Sequence, residues 1–560
     1  MTHFLNHYTL KYTPLSPLHI GADESYEPGN YVIDEEGGAL YSFDSQAAIE
    51  GLGEKEKKEL LSIVNGKSDD AMLTKVQAFF HKNRESLIAY ANSPVPTAHG
   101  INELYGKRIG KVSQHEGYGK RVINKLEIER TFYNPVDARP LLPGSSIKGA
   151  IRTALLDTIN DGKRLHDNNE RNQSLQQRLL EGKFHTDPFR LISIADASWQ
   201  GSDDKPACEI KFAVNRKRKP VVKDGQLLKS QAESNNLYQL LECVVPYHYQ
   251  SFTGSVTLLN TQSINSGNPT LPKHDYHWTI KEIAKACNEF YVKLFWQEFY
   301  EIKDRGYLNA VWLEQLKDLM DNDLSKRLVT GDIFLLRVGR HSGAEALTLN
   351  GIRNIRIMQG RGQPAGWANQ PKTWWLAADE STSKNEMMPF GWVLVEVNPK
   401  ESDIQLQNWL QTSHHKLNLW MQTQLAKQKN LKQVADERQV TLLAAKQKEL
   451  EDAIKAEEES ARIELMRQEE ASRLAKLPQY LQDIAELINA KKDPNKKDYL
   501  VLIDAVKSGQ WEGDDKQSVL EDIQARMQEL KEWRPNTNKK DPTKDKEYMR
   551  TIEVIKLMKS

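Results

Sequence analysis

The sequence is short of cysteine, of net charge and of long apolar runs, and each shortage removes a class of protein. Its three cysteines, Cys208, Cys243 and Cys287, are widely separated with no CxxC pair. That spacing excludes a zinc ribbon or a disulfide framework and fits reduced thiols in a cytoplasmic compartment. No apolar run reaches the roughly 18 residues that cross a bilayer, and no basic segment followed by an apolar one opens the chain, so neither a membrane span nor a secretory leader is expected. The 77 basic residues are matched by 77 acidic ones, so a surface for a polyanion has to be a local patch. No cofactor is expected.

What is present is 560 residues with 39% hydrophobic content, enough for a sizeable core and about three or four domains. The segment around which the chain is organised runs from Pro140 to Leu156 and reads PLLPGSSIKGAIRTALL. Pro143-Gly144 breaks the preceding element, Ser145 or Ser146 offers a cap, and Ile147, Ile151, Ala154 and Leu155 recur at helical spacing. A loop therefore feeds a helix. Gly144 allows close backbone approach, the new helix end favours an anion, and Lys148 and Arg152 share a face off the apolar stripe. The same pattern also fits an ordinary capped amphipathic helix with solvated charges. A nucleotide P-loop is disfavoured, because Gly149 is followed by Ala150 and not by Lys-Ser or Lys-Thr.

This segment resembles the glycine-containing motif of the RAMP (repeat-associated mysterious protein) superfamily of CRISPR effector proteins. Within it, the resemblance is to the Csm-type family of type III-A complexes that caps the 3′ end of the crRNA. Pro17-Leu-His19-Ile-Gly21 and the hairpin after it are similar to that family's N-terminus. Ile128 to Pro143 is similar to the arginine-bearing strand, here with Arg130, that leads into the glycine motif. Val338-Gly339-Arg340-His341-Ser-Gly-Ala-Glu345, after the strand Ile333 to Val338, resembles a second glycine-rich site, and Trp374 to Leu376 with Pro389 to Glu396 a final strand pair. The resemblance spans about residues 1–398. It implies an α+β fold of two ferredoxin-like (RRM/RAMP-type) halves with helical insertions, at 1–160 and 161–398, and it points to binding rather than catalysis.

Other stretches carry their own chemistry. Basic residues including Lys120, Arg121 and Arg130 interleave with Tyr105 and Tyr118, which suits an RNA backbone with splayed bases or a solvated loop. Strands Cys208 to Val214 and Gln239 to Val245 bracket Asn215-Arg216-Lys217-Arg218-Lys219-Pro220, expected as an exposed basic hairpin tip that tracks phosphates or aids solubility. His19 and His341 invite an endoribonuclease reading, but neither has a recognisable acid/base partner at catalytic spacing. Helical periodicity marks an insertion at about 45–95.

Beyond Asn398 the character changes. From Ile404 to Lys476 there is neither Pro nor Gly, which predicts one charged helix at 399–477, about 100 Å long, with a dimeric coiled coil as the alternative. A helical module at 478–560 follows. Trp511-Glu-Gly-Asp514-Asp515 resembles a polymerase palm only superficially, and a helix N-cap fits it better. The expected function is a non-catalytic crRNA-binding subunit of a type III effector. It would touch target RNA indirectly, bind other effector subunits, and hold a helical small subunit through residues 399–560. The alternatives are a RAMP-type endoribonuclease and a helical scaffold.

Overall fold

Strand Leu5–Pro14 is the axis of the first unit. It pairs antiparallel with Phe252–Leu259 on one side and with Trp392–Val397 on the other. Ile333–Arg337 extends the sheet beyond Trp392–Val397, while Ile192–Ile194 and Ala197–Trp199 pair with Phe252–Leu259, and Leu141–Leu142 closes the far edge. The structure, a computed structural model, describes residues 4–66, 70–111, 113–115, 121–123, 126–163, 170, 172–180, 183–246, 248–261, 271–272, 276–358 and 362–560.

Two helices pack on this sheet and on each other. Helix Gly144–Asn160 buries Ile147, Ile151, Ala154 and Leu155 as its spacing predicts. Helix Ile280–Asp304 starts at a capping box in which Thr279 and Glu282 satisfy each other's backbone amides. Its apolar stripe, Ile283, Cys287, Phe290, Phe295, Phe299 and Ile302, is buried, and the Tyr291 hydroxyl donates to the Ala150 carbonyl at 3.0 Å.

A second sheet runs in the order Gly21–Tyr26, Ile128–Thr131, Tyr238–Val244, Cys208–Lys217, Thr373–Ala378 and Met388–Pro389. Both sheets draw strands from either side of residue 160, so a cut there divides neither from the other. The Trp374-to-Glu396 stretch is not a single strand pair: Leu376 faces Pro389 in the second sheet, whereas Trp392–Val397 crosses to the first. Gly391, at φ +88 with the Val338 carbonyl 2.2 Å from where a Cβ would lie, makes that switch.

Helices Ser45–Gly51, Glu54–Val64, Asp70–Lys82 and Arg84–Ile88 form the expected insertion. They cover a small sheet of Tyr31–Asp34, Ala39–Ser42 and Val95–Pro96.

The long helix is Ile404–Leu474, and its first part belongs to the first unit, Met1–Glu437. Leu406, Leu410 and Met421 are buried there. Lys427 pairs with Asp34 at 2.6 Å, the Trp420 indole donates to the Gly37 carbonyl at 2.7 Å, and the Gln428 amide donates to the Ala91 carbonyl at 2.8 Å. The core therefore does not end at Asn398, because these side chains complete it. The second unit, Arg438–Ser560, has its own core, centred on Tyr499, Leu502, Val519, Leu520, Ile523 and Val554. Asp514 and Asp515 lie in the first turn of helix Gly513–Glu529, and Glu512, not an aspartate, is its N-cap. No helix among the described residues is long and apolar enough to cross a membrane.

Candidate nucleic-acid interface

The loop after the first strand and the second glycine-rich loop, more than 300 residues apart in sequence, meet backbone to backbone. The Arg340 amide donates to the His19 carbonyl at 2.8 Å. Gly339 sits at φ +86, and a Cβ on it would lie 2.3 Å from that same carbonyl. Glycine is required here for close approach to protein backbone.

His19 is fully buried and its Nδ1 lies 2.7 Å from the Glu242 carbonyl oxygen. A carbonyl only accepts, so the proton is on Nδ1, and Nε2, near Gly21, finds no hydrogen-bond partner among the described residues. Burial pushes the His19 pKa down. His341, at φ +62, stacks on Trp375 with ring centroids 5.0 Å apart, and its Nε2 is 2.8 Å from Gln239 Oε1. Burial first, then the charges of Arg340 and Arg337, push its pKa down to about 3. Both rings are therefore neutral near pH 7.

Glu242 is the hub that the sequence reading missed. Its carboxylate accepts from the Tyr26 hydroxyl at 2.6 Å and the Thr131 amide at 3.1 Å, and Arg130 Nε is 3.8 Å away. Burial raises the Glu242 pKa against the pull of Arg130. The Arg130 guanidinium lies between the Tyr26 and Tyr133 rings, 4.7 and 3.7 Å from their centroids. A lone carboxylate inside the apolar run Leu240-Leu-Glu-Cys-Val244 was the available signal, since a buried charge requires partners.

The first glycine motif is differently employed. Asp196 accepts from the Gly144 amide at 2.7 Å, and a Cβ on Gly144 would lie 2.3 Å from the Ile194 carbonyl. Neither Ser145, which is exposed, nor Ser146 caps the helix; both lie inside it, and Pro143 is the N-cap residue. Lys148 donates to the Ile192 carbonyl at 2.7 Å, and burial lowers its pKa. Arg152 bonds Gln176 and Asp187, each at 2.7 Å, with its guanidinium 4.3 Å from the Phe189 ring centroid. These two cations brace the helix against residues 176–192 instead of standing free on a polar face.

The basic tip expected at Asn215 to Pro220 is also corrected. The strand runs on to Lys217, so Arg216 and Arg218 share one face and are buried, while Lys217 faces the other way and is half-buried. Arg216 donates to the Ser381 and Ser383 carbonyls, and Arg218 binds Glu301 and Glu345. Lys120 lies outside the described residues, as does the side chain of Arg121. Arg340 is partly exposed and paired with Glu129.

Fold and site together define an α+β protein in which glycine-marked loops leave strand ends and lock against one another. The family model described as the RAMP superfamily matches residues 11–314, more than half of the chain, and the chain belongs to that superfamily. It is similar to a chain in the cryo-EM structure of a Csm–crRNA–target RNA ternary complex from a type III-A CRISPR-Cas system. The identity is 17% and the TM-score 0.37, covering 70% of this chain and 100% of that one. It is also similar to the crystal structure of T. onnurineus Csm5, at 15% identity and a TM-score of 0.38, covering 69% of this chain and 99% of that one. No curated protein matches the sequence.

Proposed function

We propose that the chain is a non-catalytic, cytoplasmic crRNA-binding subunit of a type III CRISPR effector, bound near the 3′ end of the guide. It would support guide maturation and antiviral defence, meeting target RNA only indirectly. The observation that carries this reading is the junction of the His19 and Gly339–His341 loops, which fixes a partly exposed Arg340 on a rigid backbone in a chain of the RAMP superfamily. Arg340, Lys217 and the exposed Ser145 are the phosphate contacts this reading assigns, with His341, Gly21 and Arg130 shaping the surface. Phosphate displaces Glu129 from Arg340 when RNA binds.

On the fold, the same reading takes Leu5–Pro14, Gly144–Asn160, Ile192–Ile194, Phe252–Leu259, Ile280–Asp304 and Trp392–Val397 as one ferredoxin-like unit. Ile333–Arg337 is then an added edge strand, and the second sheet takes the place of the other half. Residues 399–560 are read as the contact for a helical subunit of the assembly.

The endoribonuclease reading has less support, because neither histidine is placed as a proton donor near neutral pH. His341 titrates near pH 3 and is held in a stack, and His19 is sealed from solvent. Purified chain incubated with labelled guide RNA tests both: a shifted, intact RNA is expected. Cut RNA that becomes intact again with His341→Ala would replace this proposal by the nuclease.

A further inference from the structure

Of the chain's twelve tryptophans, eleven are buried or half-buried and one, Trp367, is exposed. It stands 63% exposed on a two-stranded ribbon, in which Ile355–Ile357 pairs antiparallel with Gly366–Ala368 and Trp367 lies directly opposite Arg356. Alternation sets the two faces of this ribbon. Ile357 is buried, so Arg356 and Trp367 point the other way, and Met358, just past the strand, is 75% exposed. Directly opposed residues hold their Cβ atoms about 4.5–5.5 Å apart, so a flat ring laid on the indole brings whatever it carries within reach of the guanidinium.

That guanidinium is uncommitted. Arg152, Arg216 and Arg218 are all held by the protein's own acceptors, and Arg353 is tied to the Glu345 and Thr348 carbonyls. Arg356 is exposed and has no hydrogen bond or ion pair among the described residues. The charge around it is of one sign. From Ala346 to Ala378 there is no Asp or Glu, although acids make up 77 of the 560 residues and a stretch of this length would ordinarily hold about four or five. The same stretch contains Arg353, Arg356, Arg361 and Lys372; Lys372 is exposed, and Arg361 lies outside the described residues.

An exposed Trp beside an Arg also suits a protein partner. An acid-free basic run is instead complementary to a polyanion, and a Trp within it supplies the stacking surface that unpaired bases use. The run leads into strand Thr373–Ala378, where Thr373 pairs with Lys217 and Trp375 stacks on His341, two residues already assigned to the RNA surface.

We propose that Trp367 is a stacking platform for one unpaired base of single-stranded RNA and that Arg356 binds the phosphate beside it. This rests on the reading of the chain as an RNA-binding subunit and adds to it a site for the base.

The probe is a short labelled single-stranded RNA titrated against the full-length chain, beside an abasic strand of equal length that keeps the phosphates and lacks the bases. Trp367→Ala is expected to weaken RNA binding about tenfold or more, with the salt slope and the binding of the abasic strand as in the parent chain. Trp367→Phe should keep most of the affinity, and Arg356→Ala should lower the salt slope by about one on both strands. Arg356 has no partner to lose, so its variant carries the test even where Trp367→Ala fails to fold. RNA binding by Trp367→Ala equal to that of the parent overturns the proposal, as does an equal loss on RNA and on the abasic strand. So does a Trp367→Ala chain that binds RNA normally but no longer recovers the other effector subunits in a pull-down, since that makes the occupant a protein. Normal RNA binding by Trp367→Ala together with a loss in Arg340→Ala removes this site and leaves the RNA reading standing; absence of RNA binding by the parent chain removes both.

Discussion

At the residue scale, Gly144, Gly339, Lys148, Arg152, Arg216 and Arg218 are turned inward onto the protein's own backbone and side chains. Gly339 holds φ +86 with backbone at 2.3 Å from its missing Cβ, so Gly339→Val should cost at least about 1–3 kcal/mol from the dihedral alone. A lowered urea midpoint checks this; an unchanged midpoint would show that the two loops separate freely. His341 supplies a pH signature. Its folded pKa is about 3 against about 6.5 when unfolded, so the unfolded chain binds the extra proton between those values. The stabilisation is therefore complete above about pH 6.5 and is lost as pH falls toward 3, with His19 acting in the same direction. Urea midpoints taken from pH 7.5 down to pH 5 should fall, and His341→Phe, which keeps the stack on Trp375, should flatten the decline. The glycine at 144 and the pair Lys148 and Arg152 were legible as a motif, but their partners Asp196, Ile192 and Asp187 were not. Those partners lie some 35 to 52 residues away, and local spacing carries no information about them.

At the element scale, strongly periodic segments were read closely and mixed ones were not. The long helix, expected over Ile404 to Lys476, is Ile404–Leu474, because a run without Pro or Gly leaves nothing to stop it before Pro478. The strands Cys208–Lys217 and Tyr238–Val244 pair antiparallel, as two strands bracketing a hairpin must. The supposed basic tip failed because the acids that neutralise Arg218, Glu301 and Glu345, arrive from helix Ile280–Asp304 and the turn after Gly343. Composition sees the charges but not the face they point to. The helix itself yields a prediction. Truncation after Glu437 should leave the first unit with an unaltered melting temperature. Truncation after Asn398 strips the buried Leu406, Leu410 and Met421, each contributing about 1.5–3 kcal/mol, and should give an insoluble or molten product. Equal solubility and melting of the two truncations would show that residues 404–437 are not part of that core.

At the scale of the whole molecule, zero formal charge and two sheets shared between distant strands explain why the RNA reading rests on a few positions. A globally basic protein would bind through many dispersed contacts, and losing one would hardly register. Under the proposed function the surface depends on Arg340, whose backbone amide is bonded to the His19 carbonyl, so one substitution should be visible. The most direct measurement is the affinity of the full-length chain for labelled guide RNA between about 50 and 200 mM salt. The account predicts a linear fall of log affinity with log salt, intact RNA throughout, and a slope reduced by about one in Arg340→Ala. Salt-independent affinity, or an Arg340→Ala slope and affinity identical to those of the parent chain, would contradict it.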